Sequence, residues 1–531
     1  MGQKATRVRP KKRSKETINR RQFLQTVGHG FVTPVALLSS SEQPLRAKGA
    51  ANNKRPNIIY LMTDDQRWDT LGCYGNPEFK THNIDRLAAE GVLFENCYYA
   101  VSICMPSRAT VLAGQYMSRH RCGFDRPTNY TISRAEFEMT YPAVLRRAGY
   151  RTGFIGKLGF AVTEAKETPC RSLWKNVEHM PSDRFDYWKG WAGQVPKGGY
   201  WPKDYGLEKS HKGKEQPHLT DVIGDLIVDF VETNPADKPF CLSVSFHAPK
   251  GALVPGDVKP EYNQLFEDVV FELPGNYVAG TNENLPGLIK RNWRGLKYHE
   301  KYTWTPELYQ RFVRRQAALA YGVDVIVGRL VKKLEERNFL GNTVIIFTSD
   351  NGFMNGSHGL DGKALLYEES MRAPLIVYDG RLPEGKRGRR PKQLVSTVDF
   401  ASTILDLAGA GVPKSMQGMS FKPLIYGRRT NWRDAVFMEN NFTSNRIVPL
   451  EDAQDDPEEL AKTKRDSLRC HGIRTERWKY IRFHELEPVL EQLFDLENDP
   501  LEQNDLASDR QYAKVLKTMR RRCAELCAEA R

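Results

Sequence analysis

Asn57-Ile58-Ile59-Tyr60-Leu61-Met62-Thr63-Asp64-Asp65 decides how the rest of this chain is read. Its first six residues form a short uncharged, largely apolar run, the composition of a strand buried on both faces of a parallel sheet. The run delivers two carboxylates to its C-terminal end, the side of an open α/β sheet where ligands gather. Outward from this strand the same alternation continues. A helix is predicted over Asn83–Glu90, where Ile84, Leu87 and Ala88 share a face and Gly91 supplies the stop. Val92-Leu93-Phe94 reads as a strand. Further helices are predicted over Pro106–Leu112, Tyr141–Ala148, Asp221–Glu232 and Arg311–Glu336. Strands are predicted over Arg151–Ile155, Phe240–Phe246 and Thr343–Thr348. Strands alternating with helices imply an α/β fold with a mostly parallel sheet covered on both faces. Stretches 163–215 and 250–305 are rich in Gly, Pro, Trp and charge without periodicity, as insertions near the active face would be. The character changes near residue 430: Arg474–Phe483 and Gln492–Leu496 suggest short antiparallel strands, Glu451–Lys464 a surface loop, and Arg510–Ala530 a final helix.

The 531 residues carry 79 Lys and Arg against 65 Asp and Glu, a formal net charge of +14. Such an excess raises the question of nucleic acid, but residues 1–49 alone hold eleven Lys/Arg against two Glu. The remainder is mildly basic, which suits an anionic substrate or simple solubility, and no nucleic-acid partner is expected. Within the basic segment, Asn19-Arg20-Arg21-Gln22-Phe23-Leu24 resembles the twin-arginine export motif. It precedes Val27–Leu38, which Gly28, His29, Gly30, Thr33 and Pro34 make too short and too polar to span a membrane. Ala47-Lys48-Gly49-Ala50 offers a cleavage site. Residues 1–49 therefore read as a twin-arginine (Tat) signal peptide, removed on export to the periplasm or beyond by the machinery that carries folded substrates. No later stretch is apolar for about 18 residues, so no stable membrane anchor is expected. Nine cysteines leave eight once Cys104 is set aside, a number that permits disulfides in an oxidising compartment.

Cys104-Met105-Pro106-Ser107-Arg108 stands where a helix begins, and Pro106 near that N-terminus loses little by its missing N–H. An anion at Cys104 would meet free backbone N–H groups and the helix dipole, with Arg108 one turn below. The pentapeptide and its continuation Ala109-Thr110-Val111-Leu112-Ala113-Gly114 resemble the Cys-x-Pro-x-Arg signature of formylglycine-dependent sulfatases of the alkaline-phosphatase superfamily. The resemblance spans about residues 55–507, including Leu71-Gly72-Cys73-Tyr74-Gly75, Asn83-Ile84-Asp85-Arg86-Leu87-Ala88 and Leu493-Phe494-Asp495-Leu496. It implies that a formylglycine-generating enzyme oxidises Cys104, and that one hydroxyl of the hydrated aldehyde attacks sulfur. The other hydroxyl would then lose its proton and expel sulfate, and Arg108 would pair with a negative diol oxygen.

Asp350-Asn351-Gly352 closes the strand Val344–Ser349 as Asp64-Asp65 closes the first. Acids before turns are commonly helix caps. Two such pairs on two strand ends also make a hard-oxygen site for calcium or magnesium. The resemblance favours the metal reading and adds formylglycine from Cys104 to Asp64, Asp65, Asp350 and Asn351 as a ligand. It also places a sulfate-contacting lysine at Lys157, where the usual Lys-Trp-His is replaced by Lys157-Leu158-Gly159, and another at Lys363. In Ser245-Phe246-His247-Ala248-Pro249-Lys250 the family's leaving-group histidine falls on Lys250, with His247 three residues earlier. The two absent histidines leave the acid–base assignment open, and the pKa of Lys250 is expected to fall towards the working range.

The implied architecture is a large α/β/α sandwich over residues 50–428 and a smaller C-terminal antiparallel α+β domain over 429–531. The implied activity is hydrolysis of organic sulfate esters, those of a sulfated glycan or small molecule. A phosphodiesterase or phosphonate monoester hydrolase on the same scaffold, and a catalytically silent sulfated-glycan-binding protein, are the alternatives. Trp174, Trp188, Trp191, Tyr200 and Trp201 fit either carbohydrate stacking or core packing.

Overall fold

All eight residues of Asn57–Asp64 are buried, as a strand with helices on both faces requires. The computed structural model describes residues 55–531 apart from 126–127, 166–167, 169, 171–172, 174–175, 192, 194–217, 251–257, 291–292, 443–455, 459–460, 462–466, 485 and 487. The leader, Trp174, Tyr200, Trp201 and most of the acidic stretch 451–464 lie outside the described residues.

In chain order the first elements are β1 (Asn57–Asp64), α1 (His82–Glu90), β2 (Val92–Leu93), α2 (Cys104–Ala113), α3 (Tyr141–Arg147), β3 (Arg151–Lys157), β4 (Tyr187–Trp191) and α4 (Leu219–Glu232). Then come β5 (Phe240–Pro249), α5 (Trp293–Tyr302), α6 (Pro306–Glu336), β6 (Thr343–Ser349), β7 (Leu375–Asp379) and α7 (Asp399–Leu407). The last are β8 (Ala435–Asn440), β9 (Cys470–Thr475), β10 (Trp478–Phe483), β11 (Glu491–Asp495) and α8 (Ala513–Ala530). The main sheet has the order β2-β7-β6-β1-β5-β3-β4. Pairs β6–β1, β1–β5, β5–β3 and β3–β4 are parallel, and β7 runs antiparallel to both its neighbours. Helices α1, α4 and α6 pack together over one face, and α2, α3 and α7 over the other. The second sheet, β8-β9-β10-β11, is antiparallel throughout. It is covered by α8, where Leu516, Met519 and Cys523 meet Phe437, Ile473, Tyr480 and Leu493. This is the mixed architecture expected of the chain.

Several boundaries differ from the sequence reading. α6 starts at Pro306, not Arg311, because Thr305 caps it and proline suits the first helical position. α2 starts at Cys104 itself. β3 runs on to Lys157 through Gly156, whose φ of 103° and 2.0 Å clearance between a would-be Cβ and the Ser245 carbonyl oxygen admit no side chain. Arg474–Phe483 is split by a turn into β9 and β10. The two insertions supply β4 at the sheet edge and helix α5. Trp191 is buried and Trp188 stacks on Phe154 at 5.1 Å, so both serve the core. All nine cysteines are free thiols. No helix among the described residues is long and apolar enough to cross a membrane.

One acid under the second sheet makes stability depend on pH. Glu439 on β8 is fully buried; one oxygen accepts from the Ser118 N–H at 3.1 Å and the other has no partner. Burial pushes its carboxyl up to about 7 from 4.5. A raised acid pKa means that the neutral form is favoured in the fold. Its stabilisation is complete below the unfolded value and is lost as pH rises through about 7. Glu439→Gln should therefore raise Tm at pH 8 relative to the parent, by up to about 3 kcal/mol of stability, and change little at pH 5. Parallel pH profiles of Tm for the two proteins would refute this.

Candidate active site

Asp64 and Asp65 are adjacent on a strand end, so simple alternation would turn them to opposite faces. Asp65 has φ of 61°, a left-handed conformation that aspartate tolerates, and this reversal lets both carboxylates face one point. The neighbouring strand β6 ends at Ser349, and Asp350 donates its N–H to the Thr63 carbonyl at 3.0 Å. Asp350 Oδ1 accepts from the Asp65 N–H at 3.1 Å, and Asn351 Nδ2 donates to Asp65 Oδ1 at 2.7 Å. Asp65, Asp350 and Asn351 are thus tied to one another across the β1–β6 pair. Into this cluster points the first residue of α2: Cys104 Sγ lies 3.4 Å from Asp64 Oδ1, 3.9 Å from Asp65 Oδ1 and 3.5 Å from Asn351 Oδ1.

Four cations surround these three carboxylates. Lys157 Nζ bonds Asp64 Oδ2 at 2.6 Å; Lys250 Nζ reaches Asp64 Oδ1 at 3.0 Å, Asp65 Oδ2 at 3.2 Å and Cys104 Sγ at 3.4 Å. Lys363 Nζ lies 2.7 Å from Cys104 Sγ and 2.9 Å from Asn351 Oδ1, and also bonds Asp65. Ala364, with φ of 82°, holds Lys363 in this direction, and its N–H is taken by Ser370 Oγ at 3.1 Å. A non-glycine residue there costs about 1–2 kcal/mol, which the surrounding structure must offset.

Arg108 is in the cluster, bonded to its carboxylates. It is fully buried, and its Nε and Nη2 hold Asp350 Oδ2 at 2.9 and 2.7 Å, with Asp64 Oδ2 at 3.3 Å. Its Nη1 donates to the Lys157 carbonyl at 2.6 Å and to Ser245 Oγ. Buried carboxylates claim the guanidinium because each must be paired away from water. Arg108 therefore orients Asp350 and Asp64 from beneath, where Cys104 Sγ is out of its bonding contacts. Gly159, at φ of 86°, completes this packing: a Cβ there would lie 2.8 Å from Arg108 Cδ. The position after Lys157-Leu158 accepts no side chain unless Arg108 moves.

Electrostatics follow from burial opposed by these contacts. Burial raises Asp64, but Lys157, Lys250 and Arg108 together hold it well below the usual carboxylate range. Asp65 is lowered in the same way, chiefly by Lys250 and Lys363 against burial. Burial lowers Lys157, with Asp64 only partly opposing. The expected fall for Lys250 does not occur: burial acts downward, but Asp64 and Asp65 within 3.2 Å lift its ammonium well above the ordinary value. Burial, with Lys250 and Lys157 adding to it, pushes His247 down to about 3, a neutral imidazole. Its Nδ1 is buried without a partner, and Lys250, not His247, touches Cys104. Burial, Asp350 and Asp64 raise the Cys104 thiol, the opposite of a thiolate nucleophile.

The donor set fits a hard cation. Single ligand atoms of Asp64, Asp65, Asp350 and Cys104 lie within 4.8 Å of one another, all buried, and the Asn351 amide oxygen adjoins them. The sequence reading missed Ser245, although it alternates with His247 on β5, and the Ser102–Ser370 hydroxyl pair at 2.9 Å that joins the Cys104 and Lys363 segments. Single serines carry no sequence signal for such long-range contacts.

Residues 56–410 match the family model described as Sulfatase, and residues 461–529 match N-sulphoglucosamine sulphohydrolase, C-terminal. An N-acetylglucosamine-6-O-sulfatase of Bacteroides thetaiotaomicron is 29% identical, covering 92% of this chain and 89% of its own. The N-acetylglucosamine-6-sulfatase of Homo sapiens is 32% identical over 73% of this chain and 68% of its own. A solved protein in complex with its substrate D-glucosamine-2-N,6-O-disulfate superposes with a TM-score of 0.72 at 27% identity, covering 90% of this chain and 98% of that one. The phosphonate monoester hydrolase of Agrobacterium radiobacter shares the fold at a TM-score of 0.70 and 22% identity, covering 90% and 96%. With a family match over most of its length, and relatives that hydrolyse sulfate esters, this chain belongs to the sulfatase family.

Proposed function

We propose that this sulfatase cleaves sulfate esters of a glycan, with sulfated glucosamine as the substrate class, through Cys104 converted to formylglycine. The observation that carries the reading is the convergence on Cys104 Sγ, at the first turn of a helix, of Lys363 at 2.7 Å, Lys250 at 3.4 Å and oxygens from two strand ends. The substrate class rests on the N-acetylglucosamine-6-sulfatase relatives and on the disulfated glucosamine held by the solved neighbour.

In this reading Lys157, Lys250 and Lys363 gather the charge of the sulfate, and the N-terminal N–H groups of α2 favour an anion beside Cys104. Arg108 keeps Asp350 and Asp64 aimed. Asp64, Asp65, Asp350 and Asn351, with an oxygen on the oxidised Cys104, would hold calcium or the smaller magnesium. The bound cation supplies positive charge that polarises a sulfate oxygen and lowers the pKa of a neighbouring hydroxyl. Cys104 acquires its aldehyde from a formylglycine-generating enzyme.

In this reading Lys250, 3.0 Å from Asp64 Oδ1 and 3.4 Å from Cys104 Sγ, stabilises the departing oxygen. That help matters for a sugar hydroxyl and little for a nitrophenol, which leaves unaided. Lys250→Ala should therefore lower turnover of N-acetylglucosamine 6-sulfate by roughly 10²–10⁴ and that of nitrophenyl sulfate by less than about tenfold. His247→Ala should give a smaller and unselective loss. Equal losses on the two substrates for Lys250→Ala, or selectivity appearing in His247→Ala alone, would overturn the assignment. A parent enzyme that turns over a phenyl phosphonate but not the sulfate ester of the same phenol would overturn the function itself.

A further inference from the structure

Arg294, on the first turn of α5, has no ion pair among the described residues, and its guanidinium is held by aromatic rings instead. Its Cζ lies 5.9 Å from the centre of the Tyr298 ring and 5.6 Å from that of Phe442, and the residue is half-buried. An arginine fixed on ring faces retains a rigid fork of N–H donors, the geometry that takes a sulfate or carboxylate through two parallel bonds.

A series of contacts ties Arg294 to the segments that carry Cys104 and Lys363. Met105, next to Cys104, touches Cys170 Sγ through its sulfur at 3.5 Å, and the Cys170 thiol bonds that of Cys122. Two residues further on, the Phe124 ring meets Phe442 edge-on at 5.9 Å, and Arg294 lies over Phe442. On its other side, Tyr298 lies 3.7 Å from the position of a Cβ on Gly362. The Asp361 N–H donates to the Gly295 carbonyl at 3.1 Å, tying α5 to this turn. Lys363 follows Gly362, and its Nζ returns to Cys104 Sγ at 2.7 Å. Lys363 and Lys250 are the partly exposed members of the catalytic cluster, and the turn that carries Lys363 is joined to α5 through Tyr298 and Gly295.

We propose that Arg294 is a specificity-determining residue that receives a second anionic group of the substrate, a sulfate or carboxylate beyond the ester being cleaved. The proposal rests on the sulfated-glycan reading and narrows it to sugars that carry two anions. The two rings restrict the guanidinium before the ligand arrives, so less side-chain freedom is lost on binding. The four cations around Cys104 are committed to Asp64, Asp65 and Asp350, whereas Arg294 has no acid among the described residues to give up.

Binding to the full chain carrying Cys104→Ala tests this without relying on turnover. The probes are glucosamine 2-N,6-O-disulfate, N-acetylglucosamine 6-sulfate, and a 6-sulfated glucosamine joined to an uronate. Arg294→Met, which keeps the apolar stem on the rings, should weaken the disulfate by about 10–100-fold and the monosulfate by less than about threefold. Arg294→Lys should fall between, because it keeps charge but loses the fork. Comparable weakening of the uronate probe identifies a carboxylate as an equal ligand; weakening of the disulfate alone restricts the site to sulfate. In the active enzyme the same selectivity should appear in KM, with kcat nearly unchanged. Equal weakening of all probes, or none, would overturn the proposal, as would a parent that binds the disulfate no more tightly than the monosulfate. Absence of turnover on every sulfate ester would count against the sulfatase chemistry, while the binding titrations still judge Arg294.

Discussion

Cys104→Ala is expected to abolish sulfate-ester turnover, by on the order of 10⁴–10⁶, while leaving the fold intact. The magnitude is that of losing a nucleophile for which no substitute stands in the cluster. The other groups at the centre are three carboxylates already bonded to cations, an amide, and lysines held as ammonium or bonded to Asp64. The thiol is itself unsuited to attack, since burial, Asp350 and Asp64 keep it protonated. An oxidised side chain at this position can present a hydroxyl where Lys363 and Lys250 converge. Alanine cannot be oxidised and offers none. The substitution removes one sulfur from a packed site, a change of about 1 kcal/mol in stability, so an unchanged melting transition separates chemistry from folding. Cys104→Ser should be as inactive in a host that oxidises only cysteine. Two measurements check the mechanism: activity of the purified variant, and the mass of the parent peptide spanning residue 104. Substantial activity in the alanine variant, or an unmodified cysteine in a fully active parent, is incompatible with it.

Asp350→Ala should be the second most damaging change, and it should fail in two ways at once. Asp350 accepts two guanidinium bonds from Arg108 and one from the Asp65 N–H. Without it Arg108 remains fully buried with Asp64 at 3.3 Å as its nearest carboxylate. Stranding a charge in this manner costs about 3–5 kcal/mol, enough for a clear fall in Tm. One oxygen ligand of the proposed cation site disappears as well. Turnover should drop by on the order of 10³ or more, as expected when a bound cation and its ligand geometry are lost together. Asp350→Asn keeps the shape and one acceptor, so it should recover much of the stability but little of the activity. Elemental analysis supplies the readout that a purely structural role would not move. The parent should carry about one divalent ion per chain and the asparagine variant much less. A metal-free parent that is active, or an Asp350→Ala enzyme with normal turnover, would rule the site out.

The parts of this protein that depend on neighbours in the chain were legible before any coordinates. The burial of β1 on both faces follows from its uncharged run, and the face of α1 from Ile84, Leu87 and Ala88. The alternation of strands and helices implied the parallel sheet. Asp64, Asp65, Cys104, Asp350 and Asn351 stood at the ends of elements whose periodicity placed those ends on one side. Helix starts were less legible: the Thr305-Pro306 signal was present for α6, but helical periodicity grows clear only several residues later.

What tertiary structure alone decided is how those residues share charge. Arg108 reads from its spacing as a partner for Cys104, yet two buried carboxylates from other strands claim it. Lys250 reads as a lysine depressed by burial, Lys363 and a cation, yet its close neighbours in the fold include Asp64 and Asp65. The absent side chain at Gly159 makes sense only once Arg108 Cδ occupies the space. The physical reason is common to all three. Periodicity, caps and turn residues act over a few residues of chain, so sequence determines elements and the ends they present. Coulomb interaction and excluded volume act over a few ångströms of space, between residues here separated by up to 242 positions, and only the packed fold sets those distances.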